Sequence, residues 1–383
     1  MHSNIIRFIR DLYNGRGIVP LHSPVFIGNE KKYLNECIDS TFVSSVGSFV
    51  NKFEEMISQI TGSTYAIATV NGTAALHMAL MLADVWQDDE VITQSLTFVA
   101  TTNAIKYQKA HPVFIDCSPQ TLGLCPITLQ AFLEKNTYQN TQNQCVNKST
   151  NRIIKACLPM HTLGHSTDIF QIIEICKQYN ILVIEDAAEA LGSFLNNRHL
   201  GTIADIGILS FNGNKIATSG GGGAIITNDP VLAKKAKHLT TTAKLNHDWE
   251  YEHDAIGYNY RLPNLNAALA VAQLEQLTLF LENKRNIAYQ YKNFFKNNND
   301  VHFWEGKYFE SSNHWLNAVI LSNKKEKDNF LAETNRAGII TRSLWKPMHH
   351  LPIYQHCEKT DMTNTDNIYN TFVNIPSGVT LDK

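Results

Sequence analysis

Between Gly207 and Thr227 the sequence reads GILSFNGNKIATSGGGGAIIT. An apolar run ends at Ser210 and Phe211, a single lysine, Lys215, follows, and four consecutive glycines lead into a second apolar run, Ala224 to Ile226. Two short strands joined by a loop too rich in glycine to form a helix would fix that lysine in place. A lysine so placed and partly withdrawn from water loses its proton more easily, and the free amine is a nucleophile for an aldehyde cofactor. Taken alone, the same residues also fit an exposed lysine on a surface loop. The choice between the two readings rests on the remainder of the chain.

With 383 residues, 44% of them hydrophobic, the chain can bury a sizeable core and form two domains. Its formal net charge of -2 gives no electrostatic case for a nucleic acid or an anionic membrane as partner, and no basic run is interleaved with aromatic residues. The seven cysteines are scattered, odd in number and without a CxxC pair, which reads as reduced thiols rather than a disulfide framework or a zinc site. No stretch reaches transmembrane length, and the first residues, MHSNIIRFIR, mix charge into apolar positions instead of building a signal peptide. A cytoplasmic location is expected.

The spacing of Ile5, Ile6, Ile9 and Leu12 predicts an amphipathic helix, and further helices are expected from Asn29 to Cys37 and from Ser48 to Ile60. Strands are expected at Tyr65–Val70, at Val91-Ile92, at Pro112–Asp116, at Ile153–Leu158 and at Ile181–Ile184, with helices between them. Residues 134–151, rich in Asn, Gln, Thr and Lys, read as a solvated excursion from this alternation.

Three strand ends carry chemistry. The first apolar run stops at Asn71-Gly72-Thr73 and a helix follows, marked by Ala75, Leu76, Ala79, Leu80 and Leu82. Asn71 is a good N-cap, and the free N–H groups of a helix start, with the dipole behind them, make a phosphate site. GxxxxGK[ST] and GxGxxG are both absent there, so neither nucleotide fingerprint applies. Phe98 opens the next helix at the same sheet edge, where an aromatic can cover a planar ring. The run Ile181–Ile184 ends in Glu185-Asp186, and a carboxylate just beyond a buried strand lies where open α/β sheets bind ligands. Asp186 either caps the following segment or holds a pyridinium nitrogen protonated.

A phosphate cradle, a ring cover, an acid for a ring nitrogen and an amine for an aldehyde are together what pyridoxal 5'-phosphate needs. No metal is called for: the fifteen histidines include the adjacent His349-His350, but no HExxH and no paired ligand spacing. The glycines Gly220 to Gly223 precede a strand instead of opening a helix, which removes them as a nucleotide loop.

Across nearly its whole length the chain resembles the DegT/DnrJ/EryC1/StrS group of fold-type I pyridoxal-phosphate aminotransferases, which act on nucleotide-linked keto sugars. The carriers are VSSVG at Val43–Gly47, NGTAALH at Asn71–His77, TFVAT at Thr97–Thr101, EDAAEALG at Glu185–Gly192, SFNGNK at Ser210–Lys215 and GYNYRLPNLNAA at Gly257–Ala268. Within the group it looks most like the branch making 4-amino-4,6-dideoxy-N-acetylglucosamine nucleotides for legionaminic acid or bacillosamine-type sugars. The resemblance implies an α/β fold of the aspartate aminotransferase type: a large domain over residues 1–257 with a central, mostly parallel sheet, and a smaller C-terminal αβ domain over residues 258–383.

It further implies Lys215 as the Schiff-base lysine and proton carrier, Asp186 on the pyridine nitrogen, Phe98 on the ring, and Gly72, Thr73 and Ser210 on the phosphate. Asn259 would complete the phosphate site of a neighbouring subunit, which implies a homodimer with shared active sites. Glu189 stands where many relatives have Gln or His, and SGGGG follows the lysine where many have TGEGG. Arg261, His314, Arg342, Trp345 and Lys346 are candidates for contact with a sugar nucleotide, since cations suit a diphosphate. The expected reaction takes an amino group from glutamate and delivers it to C4 of a UDP- or GDP-linked 4-keto-6-deoxy-N-acetylhexosamine. A related subgroup uses pyridoxamine phosphate to dehydrate keto sugars with a histidine in place of the lysine, and Lys215 argues against it. A non-catalytic cofactor-binding regulator on the same scaffold is the other alternative.

In the last third, Leu265 to Phe280 predicts one long helix, Trp315–Leu321 a strand and Asp328–Ala337 a helix.

Overall fold

The computed structural model describes residues 2–15 and 17–381. Seven apolar runs pair into one sheet: β1 (Tyr65–Thr69), β2 (Glu90–Gln94), β3 (His111–Ile115), β4 (Ile154–Leu158), β5 (Leu182–Asp186), β6 (Ile206–Ser210) and β7 (Gly223–Thr227). Their order across the sheet is β1-β7-β6-β5-β4-β2-β3, and β7 alone runs antiparallel to its neighbours. The strands are buried on both faces, as a sheet covered by helices on each side requires.

Consecutive residues of each strand serve opposite cores. Ile92, Cys157, Val183, Leu209 and Ile226 pack with the helices Ser48–Thr61, Pro126–Asn136, Ile169–Gln178 and Asn264–Leu274. Their neighbours Val91, Leu158, Ile184, Ile208 and Ile225 pack with the helices Gly72–Leu82, Val99–Tyr107 and Pro230–Thr240. This is the α/β, largely parallel architecture expected.

A second sheet of four antiparallel strands, β8 (Val301–Phe303), β9 (Asn317–Leu321), β10 (Arg342–Ser343) and β11 (Phe372–Ile375), has the order β8-β9-β11-β10. Its core takes Val301, Val319, Phe330 and Val373 together with Ile5, Ile9 and Val19 from the opposite end of the chain. The N-terminal helix Ser3–Leu12 therefore packs with the smaller unit. Conversely, Ala267 and Val271 of the helix Asn264–Leu274 pack in the core of the larger one. A cut at 257/258 does not follow this packing.

Two further differences have local causes. The single helix expected from Leu265 breaks at Glu275 and Gln276 into Asn264–Leu274 and Leu277–Phe295. The polar stretch 134–151 contains a hairpin, Thr137–Gln139 with Cys145–Asn147, and buried Asn147 donates to Glu90 Oε2 at 2.8 Å. Amide side chains there satisfy a buried carboxylate, a task that composition does not reveal. All seven cysteines are free. Among the described residues no helix is long and apolar enough to cross a membrane.

Candidate active site

Because β7 alone is reversed, the other six strands end on one edge of the sheet, and the site collects there. Asp186 and Ser210 are the last residues of β5 and β6. Asn71 and Gly72 follow β1, Phe98 follows β2, and Met160 follows β4. Together with Thr73, Thr101, Glu189, Asn212, Asn214, Lys215, Trp315 and Trp345 they line a cavity of about 400 Å³.

The phosphate end is built by Asn71. Its extended backbone (φ -167°) makes it the N-cap of Gly72–Leu82, and its Oδ1 accepts from Ala74 N at 2.8 Å. The N–H groups of Gly72 and Thr73 have no carbonyl a turn behind them and are left for a ligand. A Cβ on Gly72 would lie 2.9 Å from Ser210 Cβ, so glycine is what lets the helix start close against β6. Across the glycine run, Gly222 at φ 144° takes the backbone back into β7 through a conformation that other residues rarely adopt.

Asp186 is buried, with Oδ2 accepting from Thr101 Oγ1 at 2.7 Å and Oδ1 from Ala188 N at 3.2 Å. Burial raises its carboxyl above the usual range, against the pull of those bonds. No helix follows it, only turns, so it is not a helix cap. Its neighbour Glu185 points elsewhere: it takes His161 Nε2 at 2.9 Å and the N–H groups of Gly201, Ile203 and Ala204, which fix the loop before β6.

Lys215 has a side chain 13% exposed, its Nζ 3.4 Å from Glu189 Oε1 and 4.2 Å from the centre of the Trp315 ring. Glu189 is held through Oε2 by Leu163 N at 2.9 Å, and burial lifts its carboxyl to about 7. Trp315 is fixed at both ends: Nε1 donates to Asn214 O at 2.8 Å, and its carbonyl accepts from the buried Lys284 Nζ at 3.1 Å. Phe98, half exposed, faces Trp345 edge-on with ring centres 6.4 Å apart.

Of the residues singled out in the sequence, Gly72, Thr73, Phe98, Asp186, Glu189, Ser210, Lys215 and Trp345 thus meet in one cavity. Five do not line it. Arg342 is exposed, its Nη1 donating to Asn335 Oδ1 at 3.0 Å and to Thr341 O at 3.1 Å. Lys346 is exposed, and Arg261 is half-buried with Nε on Asn259 Oδ1 at 2.9 Å, while Asn259 itself is exposed. His314 is a correction: at φ 48° its ring turns inward, 1% exposed, against Phe309 (4.6 Å) and His165 (5.6 Å), and neither nitrogen has a partner. Burial holds that imidazole neutral, which unsuits it to a diphosphate. Thr101 and Trp315 were missed. Thr101 lies one helical turn beyond Phe98 inside TFVAT, which was the available signal. The strand expected from Trp315 starts at Asn317, which leaves Trp315 before it and lining the cavity.

The residues present fit pyridoxal phosphate: a helix start crowded against a serine, a buried carboxyl at the end of a strand, and an amine in a cavity lined by aromatic rings. A site of this kind on this sheet defines a pyridoxal-phosphate-dependent aminotransferase. Residues 26–383 match the profile of the DegT/DnrJ/EryC1/StrS aminotransferase family, and the chain belongs to that family. It is 37% identical over 336 residues to the GDP-perosamine synthase of Escherichia coli O157:H7, covering 88% of this chain and 87% of that protein. It is also 37% identical to the putative pyridoxal phosphate-dependent aminotransferase EpsN of Bacillus subtilis (strain 168), covering 87% and 83%. In structure it superposes on Helicobacter pylori PseC, an aminotransferase of pseudoaminic acid biosynthesis, with a TM-score of 0.84 at 23% identity over 94% and 93% of the two chains.

Proposed function

We propose that this enzyme moves an amino group from glutamate to C4 of a nucleotide-linked 4-keto-6-deoxy-N-acetylhexosamine, UDP- or GDP-linked. The observation that carries the reading is the placement of Lys215 Nζ in a cavity that also holds Asp186, the free start of the Gly72 helix and three aromatic side chains. Relatives named GDP-perosamine synthase support a nucleotide-linked sugar as the acceptor.

When bound, pyridoxal phosphate supplies an aldehyde that takes up the amino group and a ring that withdraws electrons. The protein's part follows from its own groups. Gly72, Thr73 and Ser210 would receive the phosphate, the Asp186 carboxylate would keep the ring nitrogen protonated, and Phe98 would cover the ring. Lys215 carries the proton between carbon atoms, with Glu189 at 3.4 Å to accept from its ammonium and Trp315 stacked against it. Trp345 and Phe98, edge to face at the mouth, offer apolar surface to a sugar.

A homodimer with shared sites belongs to the same reading. Asn259 is exposed, with its Oδ1 on Arg261 Nε, and does not line its own cavity; in this reading it serves a second copy. Phe42, Val43, Val46, Trp249, Tyr251 and Ile256 are exposed apolar side chains that a partner subunit would cover.

The test is amination of UDP- and GDP-linked 4-keto sugars with glutamate, with the product mass measured for wild type and Lys215→Ala. Wild type aminates one of them and the variant, still folded by circular dichroism, aminates neither. Turnover by the variant, or none of either substrate by wild type, contradicts the reading.

A further inference from the structure

The short turn Met348–His350 sets two consecutive histidines side by side, with ring centres 4.1 Å apart. Facing them is Asp366, in the first turn of the helix Thr363–Thr371. Asp366 Oδ1 lies 3.2 Å from His349 Nε2 and 3.1 Å from His350 Nε2, and no two of the three atoms are more than 4.8 Å apart. Yet that oxygen is buried and accepts no hydrogen bond of good geometry from either ring. Ligands about 2.0–2.2 Å from a tetrahedral zinc ion stand roughly 3.3 Å from one another. The separations to Asp366 are close to that edge.

Each ligand is held from behind. Ser95 Oγ, just beyond β2, is 2.7 Å from His349 Nδ1 and leaves Nε2 to face Asp366; a bond on the far nitrogen is how ligating histidines are usually oriented. The helix of Asp366 is fixed by Asp116, just beyond β3, which accepts from Thr365 N at 2.8 Å, from Thr365 Oγ1 at 2.7 Å and from Asn364 N at 3.1 Å. His349 is 6% exposed, while His350 and Asp366 are 37% and 41% exposed, which gives an ion an entry path and solvent for its remaining position.

We propose that His349, His350 and Asp366 bind one divalent transition-metal ion of the zinc class, two imidazoles and a carboxylate being a donor set suited to it. The ion joins the Met348–His350 turn to the Thr363–Thr371 helix. Trp345 lies three residues before that turn, and Ser95, three residues before Phe98, bonds His349, so the bound ion anchors the turn from which both walls of the cavity mouth are held. Its role is to stiffen, and it takes no part in the amino transfer.

The test uses the protein as purified, stripped with a chelator and then titrated with Zn2+ alone, and separately with Co2+. Wild type should gain about 3 °C or more in Tm with excess Zn2+ and show the visible d–d bands of tetrahedral Co2+. His350→Ala and Asp366→Asn change half-exposed side chains and should fold, yet lose both responses. His238→Ala, at a part-exposed histidine paired with Asp254, should keep them. A wild type with neither response, or responses that survive in both site variants, overturns the proposal.

Discussion

Glu189 Oε1 stands 3.4 Å from Lys215 Nζ, on a side chain that is only 1% exposed. The carboxyl shares its proton affinity with the cavity: burial raises it to about 7 from 4.5, while the Lys215 charge and the Leu163 N–H pull the other way. A folded chain that keeps a proton which the unfolded chain has released is most stable below the unfolded value. Stability from this group is therefore full below about pH 4.5 and is lost as pH rises through about 7.

Glu189→Gln removes that dependence. In cofactor-free protein, wild type should lose roughly 3 kcal/mol between those two limits from this group alone, and the variant should not. Urea melts between about pH 5 and pH 8 measure the difference. Parallel pH profiles for the two proteins would show that Glu189 does not titrate in this range.

Gly72→Ala places a Cβ 2.9 Å from Ser210 Cβ and 3.2 Å from its Oγ. The helix start must then draw back from β6, and the phosphate cradle with it. Affinity for pyridoxal phosphate should fall tenfold or more, about 1.4 kcal/mol, with the far-ultraviolet spectrum unchanged. An unaltered Kd would place the phosphate elsewhere.

Thr101→Val keeps the shape and removes the 2.7 Å hydrogen bond to Asp186 Oδ2. Such a bond to a charged acceptor is worth roughly 1.5–3 kcal/mol. Without it the Asp186 carboxyl rises further, so cofactor affinity should drop about tenfold, with the loss growing as pH falls and the carboxylate is protonated. Titrating the cofactor's absorbance against pH for both proteins checks the sign. A loss independent of pH would mean that Thr101 acts by packing alone.

These groups differ in how far the sequence discloses them. Asp186 and Gly72 sit at or just past the ends of apolar runs and Lys215 in the loop between two of them; a covered parallel sheet sends such ends to one edge, so periodicity brings the three together. Thr101 and Trp315 act through contacts across the fold. Trp315 is set by Lys284, 31 positions away, which no local pattern records. His314 shows the reverse: a histidine beside a tryptophan looks available, but a single left-handed backbone angle sends its ring to the core. The packing of Ile5 and Ile9 against Val319 and Phe330 is equally invisible in order along the chain, since only the closed structure brings the ends together.

The central claim, that Lys215 is the amine of a pyridoxal-phosphate transaminase, is tested most directly by the absorption spectrum of the purified protein before and after excess glutamate. A visible band from cofactor joined to Lys215, replaced by the near-ultraviolet band of pyridoxamine phosphate on adding glutamate, is the predicted result. A protein that stays colourless after incubation with pyridoxal phosphate, or a visible band that persists in Lys215→Ala, would contradict it.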